Sequence, residues 1–323
     1  MPAMARRVLI TGITGFAGSH LAERLAGRGD EVHGLAQEPA PHPNLARVAG
    51  RVTIHRGDIL DAAAVRETLA RVRPDVVFHL AGQAVPTLAT ADPVAAIAVN
   101  VTGTANVVAA LPDGARLVAA SSADVYGIPE RSPVDEGVPP HPTNVYAATK
   151  VAAEAILRAA SSRARVTILR ACNQIGPRQH ERLAASEFAK RIAQAEAGLA
   201  DPLIRHGQLD PSREFLDVRD MAAAYDAAAS LDDDAVATFN VGSGTAVSVR
   251  EILDILRGLA RIPINTELDP ERVRPGVPGV LLLDSARFRA RTGWQPQVPL
   301  DRSLSDTLDH WREQVSRTRV PAR

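Results

Sequence analysis

The first half of this 323-residue chain alternates short apolar runs with longer amphipathic stretches, and this alternation constrains the fold more than any other feature. The runs are almost continuously apolar, which is typical of parallel strands covered by helices on both faces. The pattern therefore predicts an α/β protein with a doubly wound parallel sheet. The predicted strands are 7–11, 31–35, 52–55, 76–80, 116–120 and 165–170, and the predicted helices are 16–26, 62–72, 93–111 and 144–160.

A glycine-rich turn, Gly12-Ile13-Thr14-Gly15-Phe16-Ala17-Gly18, joins the first predicted strand to the first predicted helix. Gly12 permits a tight turn, Gly15 lets backbone N–H groups approach a pyrophosphate, and Gly18 allows close packing of the helix. The anion would then rest on the helix N-terminus. An ordinary strand-to-helix turn can carry the same glycines, but this context favours a dinucleotide-binding domain of the Rossmann type.

The character of the sequence changes after Gly176-Pro177, where charged residues and prolines become more frequent. A strand at 239–242 is expected to rejoin the main sheet, and helices are predicted at 249–259, 285–292 and 300–313. We predict a dinucleotide-binding domain of residues 1–172 plus about 215–245, and a smaller C-terminal α/β substrate lobe of residues 173–214 and 246–323. The cleft between the two lobes is the expected site.

Composition limits the classes of partner. With 37 basic and 37 acidic residues the formal net charge is zero, so no overall basic field would gather nucleic acid or a membrane surface. The single cysteine, Cys172, excludes an intrachain disulfide and fits a reducing compartment. The nine histidines are scattered without ligand spacing, so no metal site is predicted. The sequence has no uninterrupted run of roughly 18 apolar residues, and we expect a soluble cytoplasmic protein.

Tyr146 and Lys150 are four residues apart, so their side chains share one face of a predicted helix. An ammonium group beside the phenol favours the phenolate and is expected to lower the tyrosine pKa from its ordinary value of about 10. Such a pair is a proton relay of the kind that hydride chemistry on an alcohol or ketone requires beside a nicotinamide. The alternative interpretation is surface packing of an unrelated tyrosine and lysine.

With this pair downstream, the glycine spacing resembles the extended short-chain dehydrogenase/reductase family, whose members mostly act on nucleotide sugars. The resemblance runs through nearly the whole chain, because further segments match in the same order. The matching segments are Asp58-Ile59 (adenine contact), Leu80-Ala81-Gly82 (strand end beside the cofactor), Asn100 (active-site asparagine) and Ser121-Ser122-Ala123-Asp124-Val125-Tyr126-Gly127 (catalytic serine segment).

The resemblance implies roles for individual residues. Ser122 would hydrogen-bond the sugar oxygen, Tyr146 would transfer its proton, and Lys150 would lower the tyrosine pKa while holding the nicotinamide ribose. Cofactor contacts are implied for Gly12, Thr14, Gly15, Phe16, Gly18, Asp58, Ile59, Leu80, Ala81, Gly82, Tyr146 and Lys150. In isolation Ser122 could cap a turn instead. A non-catalytic dinucleotide-binding sensor is the alternative from a different class, and the intact set of three argues against it.

The triplet Ser122-Ala123-Asp124 narrows the expected chemistry. The 4,6-dehydratases of the family resemble one another in Thr-Asp-Glu or Thr-Ser-Glu at these positions. Removing water from a sugar requires one group to protonate the leaving hydroxyl and another to take a carbon-bound proton. Ala123 can do neither, so a GDP-mannose 4,6-dehydratase is disfavoured and a reductase or an NAD-dependent 4-epimerase is expected. The epimerases resemble Ser-Ser-Ala-Thr here, so Asp124, a candidate catalytic residue, favours the reductase.

Segments of the second half resemble the GDP-sugar branch of the family, and most closely its GDP-4-keto-6-deoxy-mannose reductases. These segments are residues 173–179, 212–220, 271–275 and 291–296. The candidate substrate-binding residues are Asn173, Arg213 and Arg274. The two arginines are chosen because their forked donors suit a diphosphate. Arg219 is predicted to pair with Asp217 or Asp220 instead. The branch usually carries a glutamate where this chain has Val277, which makes the nucleotide base the least determined part of the prediction.

The cofactor phosphate and the oligomeric state are also expectations. In the family, the residue at the position of Ala36 decides whether the enzyme prefers a cofactor with a phosphate on the adenosine ribose. The lack of charge at Ala36 favours NADP(H), with NAD(H) possible. Glu38 is interpreted as a solvated loop carboxylate. The helices at 93–111 and 144–160 are rich in alanine and valine on more than one face, which predicts a homodimer through a four-helix bundle, unless both are buried within one subunit.

Overall fold

The computed structural model describes residues 5–38, 41–232, 236–273 and 280–319. Its strands are β1 (Arg7–Thr11), β2 (Glu31–Ala36), β3 (Val52–Arg56), β4 (Val76–His79), β5 (Arg116–Ser122), β6 (Arg165–Ala171), β7 (Asn173–Ile175), β8 (Leu203–His206), β9 (Ser212–Asp217), β10 (Val236–Val241), β11 (Ala246–Ser248), β12 (Asn265–Leu268) and β13 (Val280–Leu281). Its α-helices are α1 (Phe16–Arg28), α2 (Ala62–Val72), α3 (Pro86–Ala91), α4 (Pro93–Ile97), α5 (Gly103–Ala110), α6 (Val145–Ala159), α7 (Ala184–Glu196), α8 (Val218–Ala228), α9 (Val249–Gly258), α10 (Ala286–Thr292) and α11 (Leu300–Arg319).

The main sheet has seven parallel strands in the order β10-β6-β5-β4-β1-β2-β3. The strand order reverses between β1 and β4, so the carboxyl ends of these strands form the crevice where ligands bind in doubly wound folds. Central strands are buried along their length, as in Val76–His79, which explains their continuous apolar sequence. The predicted fold class is confirmed, and the strand predicted at 239–242 is β10, which pairs with β6.

The predicted helix at 93–111 is not one α-helix. It is divided into α4, a π-helical turn at Ala98–Thr102, and α5. Asn100 lies in the π-helical turn and is 2% exposed, and its side chain is bonded to the backbone of Gln83. Single π-turns of this kind are rare and often mark functional sites. The extra residue in the turn therefore directs Asn100 inward.

By length and composition, the stretch Pro93–Ala110 is apolar enough to cross a membrane, with a mean hydropathy of 1.4 over 18 residues. The stretch is interrupted by polar residues such as Asn100 and Thr102, so it was not predicted to be a membrane span. The window is 28% buried, and its inward face carries the buried side chains of Asn100 and Thr104. A helix that packs against the rest of a protein meets the same criterion, so the finding is weak evidence of a membrane span.

The second lobe contains strands that the sequence did not predict. A four-stranded sheet has the order β11-β9-β13, with β7 paired to β9, and β12 pairs with β8. These strands have two to six residues, and Asn265–Leu268 is exposed along its length. Because their sequences show neither a continuous apolar run nor a clear alternation, the usual strand signals are missing. Helices α7, α9 and α11 share an apolar core beside these sheets.

Helix α8 joins the two parts of the fold, because it follows β9 of the smaller sheet and packs on α1 of the larger one. Asp226 of α8 is buried and accepts hydrogen bonds from Arg6, Arg24 and Arg28 at 2.6, 3.0 and 2.7 Å. The main sheet is formed by the first six strands and completed by the later strand β10. The domain boundaries given above remain a prediction.

Candidate active site

The glycine turn between β1 and α1 leaves no room for side chains. Gly12 has a φ of 72°, and a Cβ atom there would lie 2.8 Å from the backbone nitrogen of Ala81. A Cβ atom on Gly18 would lie 2.1 Å from the Gly12 oxygen. Gly15 is the N-cap of α1 and provides no side-chain cap, so the first N–H groups of this 13-residue helix can meet an anion. The turn thus fits the pyrophosphate of a dinucleotide.

The residues predicted to contact adenosine lie at the neighbouring strand ends. Asp58 follows β3 and accepts a hydrogen bond from Gln37 Nε2 at 2.7 Å, while Ile59 is buried against Gly103. Glu38 is exposed, as expected of a loop carboxylate, but Thr14 Oγ1 donates a hydrogen bond to it at 3.2 Å. The loop after β2 therefore places a negative charge beside the glycine turn.

Ser122, Asp124, Tyr146 and Lys150 come together where β5 ends against α6. Ser122 is the last residue of β5, and its hydroxyl is hydrogen-bonded to the Tyr146 phenol. Ser122 Oγ also accepts a hydrogen bond from the Asp124 N–H at 3.2 Å, so the predicted alternative role as a cap is fulfilled as well. Lys150 Nζ lies 5.9 Å from the centre of the Tyr146 ring and donates to the Ala120 oxygen at 3.0 Å.

The electrostatics of this group differ from the prediction. Burial raises the pKa of Tyr146, and the Asp124 carboxylate raises it further, while the hydrogen bond with Ser122 opposes the change. The expectation that Lys150 holds the tyrosine pKa below its ordinary value is therefore wrong for the chain by itself. Burial also lowers the pKa of Lys150 to about 8, against the opposing charge of Glu154. At both groups, burial is the largest cause of the pKa shift.

Asn100 and Gly82 complete the catalytic side of the crevice. Asn100 Nδ2 donates to Thr149 Oγ1 of α6 at 2.8 Å, so the π-helical turn is bonded to the helix that carries Tyr146 and Lys150. A Cβ atom on Gly82 would lie 2.8 Å from Asn100 Oδ1 and 3.6 Å from Lys150 Nζ. Glycine at position 82 therefore keeps the space beside the ammonium group open.

A buried polar network that the sequence analysis missed supports the catalytic helix from behind. Glu154, one turn after Lys150, forms two hydrogen bonds with Arg170 of β6, at 2.9 and 2.7 Å. Ser121 donates to the same carboxylate at 2.6 Å. Arg170 also donates to the Tyr126 hydroxyl at 2.9 Å. Arg170, near the end of a strand that is buried after its first residue, was the signal that could have revealed this network.

The predicted substrate residues come from the second lobe. Arg213 lies on β9 and donates to the Ser212 oxygen at 2.8 Å. Burial raises the pKa of the Asp124 carboxyl, and the charge of Arg213 partly opposes this rise. Asn173 is exposed and donates to the Glu214 oxygen at 3.1 Å. Arg274 and Val277 lie outside the described residues. The structure therefore brings Arg213 close to the catalytic group.

Arg219 pairs with Asp217 at 2.7 Å, which confirms the prediction that it serves the fold. It also pairs with Asp306 of α11 at 2.7 Å, and this second partner was not predicted. Among the described residues no group of three or more His, Cys, Asp or Glu side chains could hold a metal ion.

A polar cleft of about 450 Å³ lies between α3 of the first lobe and α7 of the second. Its lining was missed by the sequence analysis, because such charges are ordinary on helix surfaces. The lining residues are Thr87, Glu181, Arg182, Glu187, Lys190, Arg191, Gln194 and Arg272. Four of these eight side chains are cationic and two are acidic, so the cleft suits an anion with polar groups around it.

A model of the GDP-mannose 4,6 dehydratase family matches residues 9–307. The chain belongs to this family of extended short-chain dehydrogenases/reductases. GDP-6-deoxy-D-mannose reductase of Pseudomonas aeruginosa is 33% identical over 319 residues, which are 97% of this chain and 99% of that protein.

Two solved structures have similar folds. The structure of RMD from Pseudomonas aeruginosa complexed with NADPH is 31% identical, with a TM-score of 0.82 and coverage of 96% of this chain and 100% of that one. The UDP-glucose 4-epimerase of Thermus thermophilus in complex with NAD is 30% identical, with a TM-score of 0.81 and coverage of 95% and 99%. The predicted family and the interpretation as an enzyme are confirmed.

Proposed function

We propose that this family member catalyses the NAD(P)H-dependent reduction of a 4-keto-6-deoxy nucleotide sugar, of the type that converts GDP-4-keto-6-deoxy-mannose to GDP-rhamnose. The observation that carries the proposal is the group formed by Ser122, Asp124, Tyr146 and Lys150, in which Tyr146 and the neighbouring Ala123 are buried and the other three residues are partly buried. The similarity to the GDP-6-deoxy-D-mannose reductase of Pseudomonas aeruginosa supports the same reaction.

The glycine turn, Gly82 and Lys150 would hold the nicotinamide dinucleotide, which when bound supplies a hydride to the keto carbon. Tyr146 then gives its phenolic proton to the oxygen that becomes the new hydroxyl. A raised pKa keeps Tyr146 protonated, so its resting state is that of an acid, as reduction requires. Ser122 orients the phenol and donates to the same sugar oxygen. Below pH about 8 the Lys150 ammonium stabilises the negative charge that develops there.

Two other activities of the family are less well supported. A dehydratase would need a proton-transferring group at position 123, where a buried alanine lies. A 4-epimerase remains the second candidate, because the epimerase of Thermus thermophilus shares the fold. Asp124 argues for the reductase, since its carboxylate lies within electrostatic reach of Tyr146 and favours the protonated phenol. An epimerase must also remove the hydroxyl proton, which a raised tyrosine pKa disfavours.

On the substrate side, Asn173, Arg213 and Arg274 are proposed to bind the nucleotide sugar. Arg213 is more than half buried beside Asp124, which is a suitable place for a phosphate near the reacting sugar. Lys190 and Arg191 of the cleft would add positive charge farther out. The reductase of Pseudomonas aeruginosa supports a guanine nucleotide and the UDP-glucose 4-epimerases a uracil nucleotide, while the cleft chemistry supports a nucleoside diphosphate in general.

For the cofactor we propose a preference for NADP(H), with NAD(H) accepted less well. Ala36 offers no acid at the end of β2, and Arg56, its register partner on β3, is exposed and could meet a ribose phosphate. Glu38 acts in the opposite sense through its position beside Thr14. The solved structures support a nicotinamide dinucleotide of either kind, NADPH in one and NAD in the other.

A homodimer and a cytoplasmic location are part of the same proposal. Val94 and Ile97 of α4 are 77% and 49% exposed, so the outer face of this helical stretch is apolar. A second copy that packs there would cover these side chains. Light scattering of the purified chain measures the state directly, and a monomer at micromolar concentration would contradict the dimer.

The test of the proposed reaction is the oxidation of NADPH and NADH, followed by nicotinamide absorbance, with freshly prepared GDP-4-keto-6-deoxy-mannose as substrate. GDP-mannose serves as the control, because it lacks the keto group. Oxidation with the keto sugar alone supports the reductase and gives the cofactor preference. Absence of oxidation, with interconversion of intact GDP- or UDP-sugars, would establish the epimerase instead.

A further inference from the structure

The segment between β7 and α7 reaches from the second lobe to the glycine turn of the first. Its central residue, Arg178, has a φ of 74°, and among the described residues only Arg73 shares a positive φ without being glycine. This backbone conformation is strained for a residue with a side chain, so the surrounding contacts must hold it. Strain of this kind often accompanies a functional position.

The contacts of Arg178 explain how the conformation is held. Its Nη1 atom donates to Glu23 Oε1 of α1 at 2.7 Å and to the Asn44 oxygen at 2.6 Å. Its Nη2 atom donates to Nδ1 of His20 at 2.8 Å, while the other ring nitrogen of His20 contacts the Pro177 oxygen at 3.0 Å. The Arg178 side chain is 10% exposed. One guanidinium thus binds a helix and a loop of the other lobe.

Both of these elements border the proposed dinucleotide site. Asn44 Nδ2 donates to the backbone oxygen of Thr14 in the glycine turn at 2.8 Å. Phe16, the first residue of α1, packs edge-on against His20, with ring centres 5.9 Å apart. A Cβ atom on Gly176 would lie 3.9 Å from the Phe16 ring. The chain of contacts therefore runs from Arg178 to both sides of the turn, without Arg178 itself being part of the turn.

We propose that Arg178 is a positioning residue that couples the two lobes. It fixes the glycine turn relative to β7, the strand that carries Asn173. The dinucleotide and the nucleotide therefore bind cooperatively. The inference rests on the proposed function, since it assumes that the turn binds a dinucleotide and the second lobe a nucleotide. Bound dinucleotide and Arg178 would hold the turn in the same place. Without Arg178, dinucleotide binding would have to order the turn, and part of its affinity would be lost.

The test compares two full-length variants, Arg178→Gly and Arg73→Gly. Each removes an arginine side chain and relieves a positive φ, but Arg73 ends α2 at an exposed position outside this set of contacts. Dissociation constants for NADPH and NADH are measured by calorimetry, and GDP is titrated with and without dinucleotide. We expect R178G to weaken dinucleotide binding about tenfold and to abolish the increase in GDP affinity that dinucleotide causes in the unaltered chain. R73G should change neither value by more than about twofold.

The outcomes separate this inference from the proposed reaction. Unchanged dinucleotide affinity and unchanged coupling in R178G would overturn the role of Arg178 while leaving the reductase intact. Coupled binding without oxidation by the keto sugar would leave Arg178 in place and overturn the reductase. If R178G does not fold, Arg178→Lys, which can keep the Glu23 ion pair but not all the other bonds, should weaken dinucleotide binding to an intermediate degree. Equal affinity in R178K and the unaltered chain would then contradict the proposal.

Discussion

The polar groups behind helix α6 and those lining the cleft between α3 and α7 are built in different ways. Behind α6, Glu154 is 1% exposed and each of its oxygens accepts hydrogen bonds, from Ser121, Arg158 and Arg170. In the cleft, ion pairs such as Arg272–Glu187 are partly exposed, with side chains 39% and 29% accessible. Buried pairs hold one geometry because breaking them is costly, whereas exposed pairs exchange readily with water and salt.

This difference separates the two tasks of the site. A proton relay requires Tyr146 and Lys150 at fixed positions, and the buried network supplies that rigidity. If the cleft binds the diphosphate of a nucleotide, its charged side chains must be able to break their ion pairs and contact a phosphate, and the partly exposed pairs of the cleft allow this. We therefore expect substitutions in the first region to act on kcat or stability and substitutions in the second to act on KM.

The sharpest contrast lies between two tyrosines. Tyr146→Phe removes the proposed proton donor and should lower kcat by about 10²–10⁴-fold with little change in the thermal midpoint. Tyr126→Phe is the matched control, since Tyr126 donates to Asn240 at 2.7 Å in the supporting network. It should leave kcat within a few-fold and reduce the free energy of unfolding by about 1–3 kcal/mol, because buried partners lose a hydrogen bond. Full activity in Y146F would contradict the role of Tyr146 as the proton donor.

Breaking the buried ion pair should test the rigidity of the catalytic region. Glu154→Gln leaves the Arg170 guanidinium without a counter-charge, and we expect the free energy of unfolding to fall by about 3–5 kcal/mol. Glu67→Gln affects an exposed helix pair with Arg71 and should change it by no more than about 0.5 kcal/mol. Urea unfolding of both variants provides the comparison. Equal effects would show that burial does not distinguish the two pairs.

The pH dependence should report Lys150. Its pKa is lowered by burial from 10.5 to about 8, so the ammonium group loses its proton above pH about 8. If the cation holds the nicotinamide ribose, kcat/KM for the dinucleotide, which reports the free enzyme, should fall about tenfold per pH unit beyond that point. Lys150→Arg, which stays charged, should lack this decline. A flat profile to about pH 9.5 in the unaltered enzyme would contradict a role for the charge.

The lowered pKa of Lys150 also makes the free energy of unfolding depend on pH. Because the folded pKa lies below the unfolded one, the unfolded chain binds more protons between pH 8 and 10.5. The contribution of Lys150 to the free energy of unfolding therefore rises with pH across this window, and the destabilising cost of its buried charge is fully present below pH 8. Comparing the unaltered chain with Lys150→Met in this range isolates that contribution.

The smallest effect is expected in the cleft. Arg191→Ala removes one exposed cation from its lining and should raise KM for the nucleotide sugar about two- to fivefold, with kcat unchanged. The increase should shrink at high salt, because exposed charges are screened. Arg163→Ala, an exposed arginine that pairs with Asp113 away from the cleft, is the control. A large loss of kcat in R191A would place this residue in the rigid region instead.

The sequence predicts structure best where backbone geometry or burial restricts the residue types that fit. The glycines at 12 and 18 are required by backbone contacts, and the spacing of Tyr146 and Lys150 places both on one helix face, so these features could be predicted. The central strands could also be predicted, because burial on both faces gives them continuous apolar sequences.

Other features depend on contacts between distant segments and left no local signal. Asn100, in the π-helical turn, is hydrogen-bonded to the backbone of the distant Gln83, and the raised pKa of Tyr146 follows mainly from burial by the whole fold. Arg178 belongs to residues 173–179, which resemble the GDP-sugar branch, but its hydrogen bonds to Glu23 and Asn44 form only when the two lobes meet. The charged residues of the cleft look like those of any helix surface in the sequence. Only the packing of α7 opposite α3 brings them together.

The most direct test of the central claim uses a reduced nicotinamide cofactor that carries deuterium at the transferable position, with GDP-4-keto-6-deoxy-mannose as substrate. Product and cofactor are examined together by mass spectrometry and NMR. Direct hydride transfer to the keto carbon predicts one deuterium at C4 of the sugar for each cofactor oxidised, and a rate of transfer about 10²–10⁴-fold lower when Tyr146 is replaced by phenylalanine. Sugar that is interconverted without net cofactor oxidation, or recovered without deuterium, would contradict it.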